Sequence, residues 1–256
     1  MAKRRQTRRL EATVQAIQVK WGVQALQKGV RPAAGNTPVP CLPTGLNVLD
    51  NILAIGGLPL GYISELIGHS TSGKRTLALH ALAHAQESRP CVYIDLSRTF
   101  DPVYAAACRV NLARLAIAAP AAPGQALDLA CDLAAGGKFG LIVFDATDAL
   151  LTEALPASRA AAALRRLRQA LHDRPTALLF ITTSRSAMVE PPDSYPPGFA
   201  LDQAAAVRLH VQRARWQREG ARIAGYTARV AVLRNRWGRS GLEVTVRVTF
   251  NGVHVE

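Results

Sequence analysis

An apolar run, Ile63-Ser-Glu-Leu-Ile67, passes through Gly68, His69, Ser70, Thr71, Ser72, Gly73, Lys74 and Arg75 into a stretch of helical character, TLALHALAHAQ. A glycine-bounded loop closed by a lysine, set between a strand and the first turn of a helix, restricts the fold more than any other feature of this chain. Its glycines let the backbone curl so that amide N–H groups point inward, the helix N-terminus adds positive potential, and Lys74 reaches the terminal phosphates of a ligand. That context is the one a Walker A phosphate loop requires, and it predicts an α/β protein.

The remaining pattern agrees. From Thr44 onward short apolar strands alternate with helices, the first four strands being YISELIG, PCVYIDL, FGLIVFDA and TALLFITT. Helices such as TLALHALAHAQ and ASRAAAALRRLRQALHD lie between them, which is the signature of a parallel sheet. AAVRLHVQRA, ARVAVLRNR and EVTVRVTF then follow one another through short turns, so the mostly parallel central sheet should end in antiparallel strands at its C-terminal end. Ahead of this, a basic tail leads into a helix over residues 11–29, with Val14, Ile17, Trp21 and Leu26 at helical spacing. The organisation expected is therefore a tail and N-terminal helix over 1–30, a Pro- and Gly-rich linker over 31–43, and a core domain over 44–256.

A chain of 256 residues, 49% of them hydrophobic, supplies one core of ordinary size, and 19% charged residues is too few for a disordered chain. The net charge of +13 points to an anionic partner, nucleic acid first. Cys41, Cys91, Cys108 and Cys131 are scattered without CxxC or Cys/His spacing, so they read as buried small side chains in a reducing cytoplasm, with no metal site. No apolar run is long enough to cross a bilayer, and polar residues follow the basic N-terminus where a signal core would stand. The sequence thus reads as soluble and cytoplasmic, with no membrane partner.

The phosphate loop departs from its motif at Arg75, where Ser or Thr ordinarily supplies a hydroxyl to Mg²⁺. Thr76 is one residue on, about 100° further round the helix, and is not expected to reach the same place. Arg75 could instead lie against phosphate oxygens and replace part of the metal's charge. Asp145, which closes the strand LIVFD, is the natural Walker B carboxylate.

The block Thr44–Gln86, with its GGLPLG turn and phosphate loop, resembles the start of the core of bacterial RecA recombinases. The likeness continues through CVYIDLSRTFDPVYA, the Asp145 strand and ITTSR to RVAVLRNR, and back over the N-terminal helix, which in that family packs on the neighbouring protomer. It covers nearly the whole chain. The chain stops at Glu256, so the C-terminal domain that follows the family's core is expected to be missing.

Residue by residue, the resemblance implies an uneven inheritance. Asp101 and Tyr104 match the family's adenine-contacting pair, and Lys74 and Asp145 are kept. The catalytic Glu position is Ser97, and a hydroxyl near its normal pKa is a poor base for water. The sensing Gln position is Thr183. Arg234 and Arg236 match two lysines that reach across a filament interface to the next protomer's ATP. Both remain cationic and suit bidentate phosphate contact.

The family's first DNA-binding loop is reduced to LTEALPAS, and the second survives as the Pro-rich Ser186–Asp202 without the family's glycines. DNA contact is then expected from the basic tail, Arg185, and the helix face of Arg165, Arg166 and Arg168, directed at phosphates and sensitive to salt. That trio reads equally well as a solvated helix face.

The function implied is an accessory member of DNA repair and recombination in the damage (SOS) response, akin to RecA-derived partners such as the ImuA component of bacterial mutasomes. It would bind ATP weakly or not at all, have doubtful use for Mg²⁺, and act through RecA or RecA-like protomers, single-stranded DNA or a translesion polymerase. The alternative is a divergent DNA-dependent ATPase recombinase with a rearranged site.

Overall fold

The computed structural model describes residues 2–22, 39–145, 147, 150, 155–184, 195, 200–249 and 252–254. The chain divides into two units, residues 1–38 and 39–256. The first contains α1 (Ala2–Trp21), which begins earlier and ends sooner than the sequence suggested. Gly22, at φ 93°, takes the left-handed conformation that lets its N–H bond back to the Gln18 carbonyl and close the helix. Leu26, counted above among the apolar positions, lies outside the described residues.

The second unit opens with β1 (Cys41–Leu42), paired antiparallel with β2 (Leu58–Pro59), with α2 (Asn47–Ile52) between them. This corrects the linker boundary: Cys41 and Leu42 form a short edge strand, because Leu42 is buried in the core and the flanking prolines need no ladder hydrogen bond of their own.

The main sheet is built from β3 (Ile63–Gly68), β4 (Cys91–Asp95), β5 (Leu115–Ala118), β6 (Leu141–Asp145), β7 (Ala177–Thr183), β8 (Ala205–Glu219), β9 (Arg222–Asn235), β10 (Glu243–Thr249) and β11 (Gly252–His254). Its order is β11-β10-β9-β8-β3-β7-β6-β4-β5. Strands β8, β3, β7, β6, β4 and β5 run parallel, and β9, β10 and β11 are added antiparallel, as the sequence pattern implied. Two strands were not anticipated. β5 is only Leu-Ala-Ile-Ala at the sheet edge, and β11 is a three-residue return after β10; neither is long enough to show a period.

Helices α3 (Lys74–Ala85), α4 (Pro102–Ala107), α5 (Pro123–Gly136), α6 (Ala157–Leu171) and α7 (Leu201–Ala204) fill the connections. The central strands are buried on both faces, and their alternation divides the core. Leu141, Val143, Leu179 and Ile181 pack with α3, whereas Ile142, Phe144, Leu178 and Phe180 pack with α5 and α6. Phe144 and Phe180, both fully buried, meet at 4.8 Å between ring centroids. Alanines at Ala126, Ala130, Ala134, Ala160 and Ala163 let α5 and α6 lie close to that layer.

The parallel strands β3, β4, β6 and β7 end within two residues of one another. Asp95 of β4 is level with Asp145 of β6, Asp145 with Ile181 of β7, and Thr183 of β7 with Gly68 of β3. Everything that follows β3, β4, β6 or β7 therefore emerges along one line.

Candidate functional site

The loop from Gly68 to Gly73 opens directly from β3 and caps α3. Gly68 has no room for a side chain: a Cβ there would lie 2.2 Å from the Val211 carbonyl oxygen and 2.8 Å from Ser72 Oγ. Gly73 is left-handed at φ 101°, and a Cβ on it would sit 2.9 Å from the Tyr226 hydroxyl. Thr71 also has positive φ (61°) and accepts a hydrogen bond from Arg213 Nη1 at 3.0 Å. Ser72 N donates to the His69 carbonyl at 3.2 Å, and His69 Nδ1 lies 3.1 Å from the Ser70 carbonyl. Lys74 is buried and donates from Nζ to the His69 carbonyl at 3.0 Å, so its ammonium lies inside the curl of the loop.

Arg75 leaves the first turn of α3 toward the strand ends. Its Nε donates to Asp145 Oδ2 at 2.7 Å, and Nη2 to Ser97 Oγ at 3.4 Å. The Tyr93 hydroxyl donates to the same Asp145 oxygen at 2.6 Å. Burial raises the Asp145 carboxyl above its usual range, while Tyr93 and Arg75 pull it back. Burial also works against the Arg75 charge, but the neighbouring Asp145 outweighs it and the guanidinium is held more firmly protonated. The Tyr93 phenol is pushed up by burial and by Asp145. Of the guanidinium expected against phosphate oxygens, the Nε edge is committed to Asp145 and Nη2 reaches Ser97.

Ser97 sits in a serine–threonine cluster, donating to Asp95 Oδ1 at 3.2 Å and lying 2.6 Å from the Thr99 hydroxyl. Asp95 in turn accepts from the backbone N–H groups of Thr99 and Phe100, which fixes the turn after β4. Thr183, level with Gly68, ends β7 half-buried beside the loop. Thr76 is buried and shares a hydrogen bond of 2.8 Å with the Tyr104 hydroxyl. It points away from the Asp145 side, as the helical rotation required. Asp101 caps α4, its Oδ1 accepting from Val103 N and Tyr104 N. Burial pushes the Tyr104 phenol up to about 12.

Mg²⁺ does not fit this arrangement. It needs near-octahedral oxygens and retains several waters. The hydroxyl the motif supplies is replaced by a guanidinium, and Thr76 is turned toward Tyr104. Asp145 Oδ2 already accepts two donors. Asp145 Oδ1 is buried and has no hydrogen-bond partner among the described residues.

A second feature was divided in the sequence reading and is united in the structure. Arg165 and Arg168 on α6 and Arg234 and Arg236 at the end of β9 line one cleft of about 860 Å³, with Tyr62, Gln169, His172 and Gln203. Arg236 stacks over Tyr62 and Trp237 at 5.4 and 5.8 Å, and the two rings meet edge-on at 4.9 Å. Arg234 Nη1 donates to the Asp202 carbonyl at 2.6 Å. Arg166 does not join them, because one residue's rotation turns it to Asp128 on α5, with Nη1 3.0 Å from Oδ1. The trio on α6 is therefore not one surface. Arg185, the LTEA part of the first loop segment and most of Ser186–Asp202 lie outside the described residues.

Tyr93, Arg213 and Tyr226 were not found from sequence. Tyr93 had a usable signal: two residues before Asp95 on β4, it must share the face on which Asp145 lies in the adjacent strand. Arg213 and Tyr226 come from distant strands, and only the pairing of β8 with β9 brings them to the loop.

The RecA N-terminal domain family matches residues 8–253, nearly the whole chain. The chain belongs to the RecA family. It is 34% identical over 243 residues to Protein RecA of Chloroflexus aurantiacus, covering 89% of this chain and 69% of that protein. It is 34% identical over 244 residues to Protein RecA of Streptomyces avermitilis, covering 89% of this chain and 64% of that one. A solved RadB recombinase shares the RecA-type fold, with a TM-score of 0.65 at 21% identity over 84% of this chain and 100% of its own. This RecA-family chain thus spans about two thirds of the length of the curated relatives it matches. Among its described residues no helix is long and apolar enough to cross a membrane.

Proposed function

We propose that this RecA-family protein is an accessory subunit of DNA repair and recombination, which retains the nucleotide-binding frame and has lost the turnover chemistry. The observation that carries the reading is the Arg75–Asp145 ion pair. The guanidinium occupies the Walker B carboxylate and touches Ser97, which stands in place of a general base, while Thr183 stands in place of the sensing amide at the end of β7, level with Gly68. Losing a general base alone costs on the order of 10²–10⁴-fold. Repair by re-siting the base is not supported, since the carboxylate nearest Ser97, Asp95, is tied to two backbone N–H groups.

What remains is suited to serving a neighbour. Gly68–Gly73, Lys74, Thr76, Asp101 and Tyr104 would cradle ATP, with Tyr104 braced by Thr76. Arg234 and Arg236 would reach the phosphates of an adjoining RecA or RecA-like protomer, and Arg165 and Arg168 at the same cleft would meet single-stranded DNA along its phosphates. A translesion polymerase recruited to such a filament is a further partner in this reading. The cytoplasm is the compartment this work requires.

The test is ATP hydrolysis by the purified protein with Mg²⁺, with and without single-stranded DNA. It is paired with the DNA-dependent ATPase of the host RecA at stoichiometric concentration of this chain. No turnover of its own and a changed RecA rate are expected. The second reading, a divergent ATPase recombinase, is favoured by the intact seat of Lys74. Turnover above a Lys74→Ala control would establish it.

A further inference from the structure

Mg²⁺ does not fit the phosphate loop, and that disagreement has a positive consequence for the ligand. We infer that the site takes its nucleoside polyphosphate free of divalent cation, with Arg75 as the fixed charge that stands in the metal's place. The inference deepens the nucleotide-retaining reading above and rests on it.

In the ordinary arrangement a hydroxyl after the loop lysine and the strand-end carboxylate hold a doubly charged ion between them. Carboxylate plus Mg²⁺ leaves one net positive charge facing the phosphates; Asp145 plus Arg75 leaves none. One feature offsets that difference. Arg213 reaches the loop from β8, its Nη1 3.0 Å from Thr71 Oγ1, and is held in place by stacking on Trp216 at 4.4 Å. Trp216 in turn lies edge-on to Tyr226, whose hydroxyl borders Gly73. The loop is thus flanked by Lys74, Arg75 and Arg213, which together with the amide N–H groups at the start of α3 supply the electrostatics for a phosphate chain without an ion.

The Arg75 geometry also explains why a metal cannot simply be added. The guanidinium is locked by Asp145 Oδ2 and Ser97 Oγ, while its Nη1 has no hydrogen-bond partner among the described residues and is left for a ligand oxygen. A divalent ion entering beside it would have to displace a charge-assisted hydrogen bond of 2.7 Å from a carboxylate that is 1% exposed. Free nucleotide meets no such barrier.

The experiment is calorimetric titration of the whole chain with ADP, in EDTA and again in excess Mg²⁺. Wild-type affinity is expected to be the same in both buffers or weaker in Mg²⁺, because the ion removes free ADP. Arg75→Thr, which restores the motif's hydroxyl, is expected to bind about tenfold more tightly with Mg²⁺ than without, the equivalent of one charge-assisted contact. Arg75→Lys keeps the charge and should remain indifferent to the ion, which guards against misfolding of the threonine variant. Wild-type binding that strengthens tenfold or more in Mg²⁺, or binding absent in both buffers, overturns the inference. Neither result bears on whether the chain modulates the host RecA, which the ATPase assay reads separately.

Discussion

Arg208 on β8 places its Nε 2.7 Å from Oε2 of Glu65 on β3, in register across the parallel pair, with the two side chains 8% and 0% exposed. Thr182 donates to Glu65 Oε1 at 2.7 Å, and the Tyr195 hydroxyl donates to the same oxygen. The cluster lies three residues before Gly68 on β3 and ties together the parallel strands β7, β3 and β8.

Removing one partner there strands a buried charge. Arg208→Met is expected to lose about 3 kcal/mol of unfolding free energy in urea, and Glu65→Leu a similar amount. The double variant should recover most of the loss, since two apolar side chains of comparable volume need no ion pair. A double variant no more stable than either single one would show that Thr182 and Tyr195 depend on the carboxylate.

Turnover should return only when the whole set is rebuilt. Ser97→Glu alone is expected to do nothing, because Arg75 still sits on Asp145 and its guanidinium would capture the new carboxylate as well. Combining Arg75→Thr, Ser97→Glu and Thr183→Gln should raise ATP hydrolysis by about 10²-fold over wild type in Mg²⁺. Phosphate release in a steady-state assay reads this directly.

The two faces of α6 separate in a salt titration. Arg168→Ala should lower the slope of log affinity against log salt for single-stranded DNA by about 0.7, the loss of one phosphate contact. Arg166→Ala, whose partner is Asp128 outside the cleft, should leave the slope unchanged. Equal effects at both positions would point to the general charge of the chain in place of the cleft.

Tyr104 sets an alkaline limit. Burial first, and the neighbouring Cys108 and Tyr226, push its phenol from 10.0 to about 12, although the Thr76 bond works the other way. The folded chain holds this proton more tightly than the unfolded one. Its contribution is complete below pH 10 and disappears as the pH climbs through about 12. Unfolding free energy should therefore fall less steeply over that window in Tyr104→Phe than in wild type.

Much of this was legible before any coordinates. The strand–loop–helix at Gly68–Lys74 imposed the sheet, and the helical rotation between Arg75 and Thr76 correctly separated their side chains. The sequence could not say where Arg75 would go, because a guanidinium has several anionic partners in reach and the choice depends on Tyr93 and Asp145 converging from adjacent strands. Nor could it unite Arg165 and Arg168 with Arg234 and Arg236, separated by more than sixty positions and joined only in the cleft they line. Cys41 and Leu42 escaped notice for the opposite reason: a strand of two residues amid prolines has no period to detect.

The closely spaced ends of β3, β4, β6 and β7 have a bearing on how such a chain can change its trade. Asp95, Asp145, Thr183 and Gly68 form a terrace at the rim of the sheet, above the apolar layers that hold the strands together. A residue swapped on the terrace alters what the protein does to a phosphate while the masonry below keeps its shape. Changes in phosphate chemistry can thereby accumulate at the rim without an unfolded intermediate.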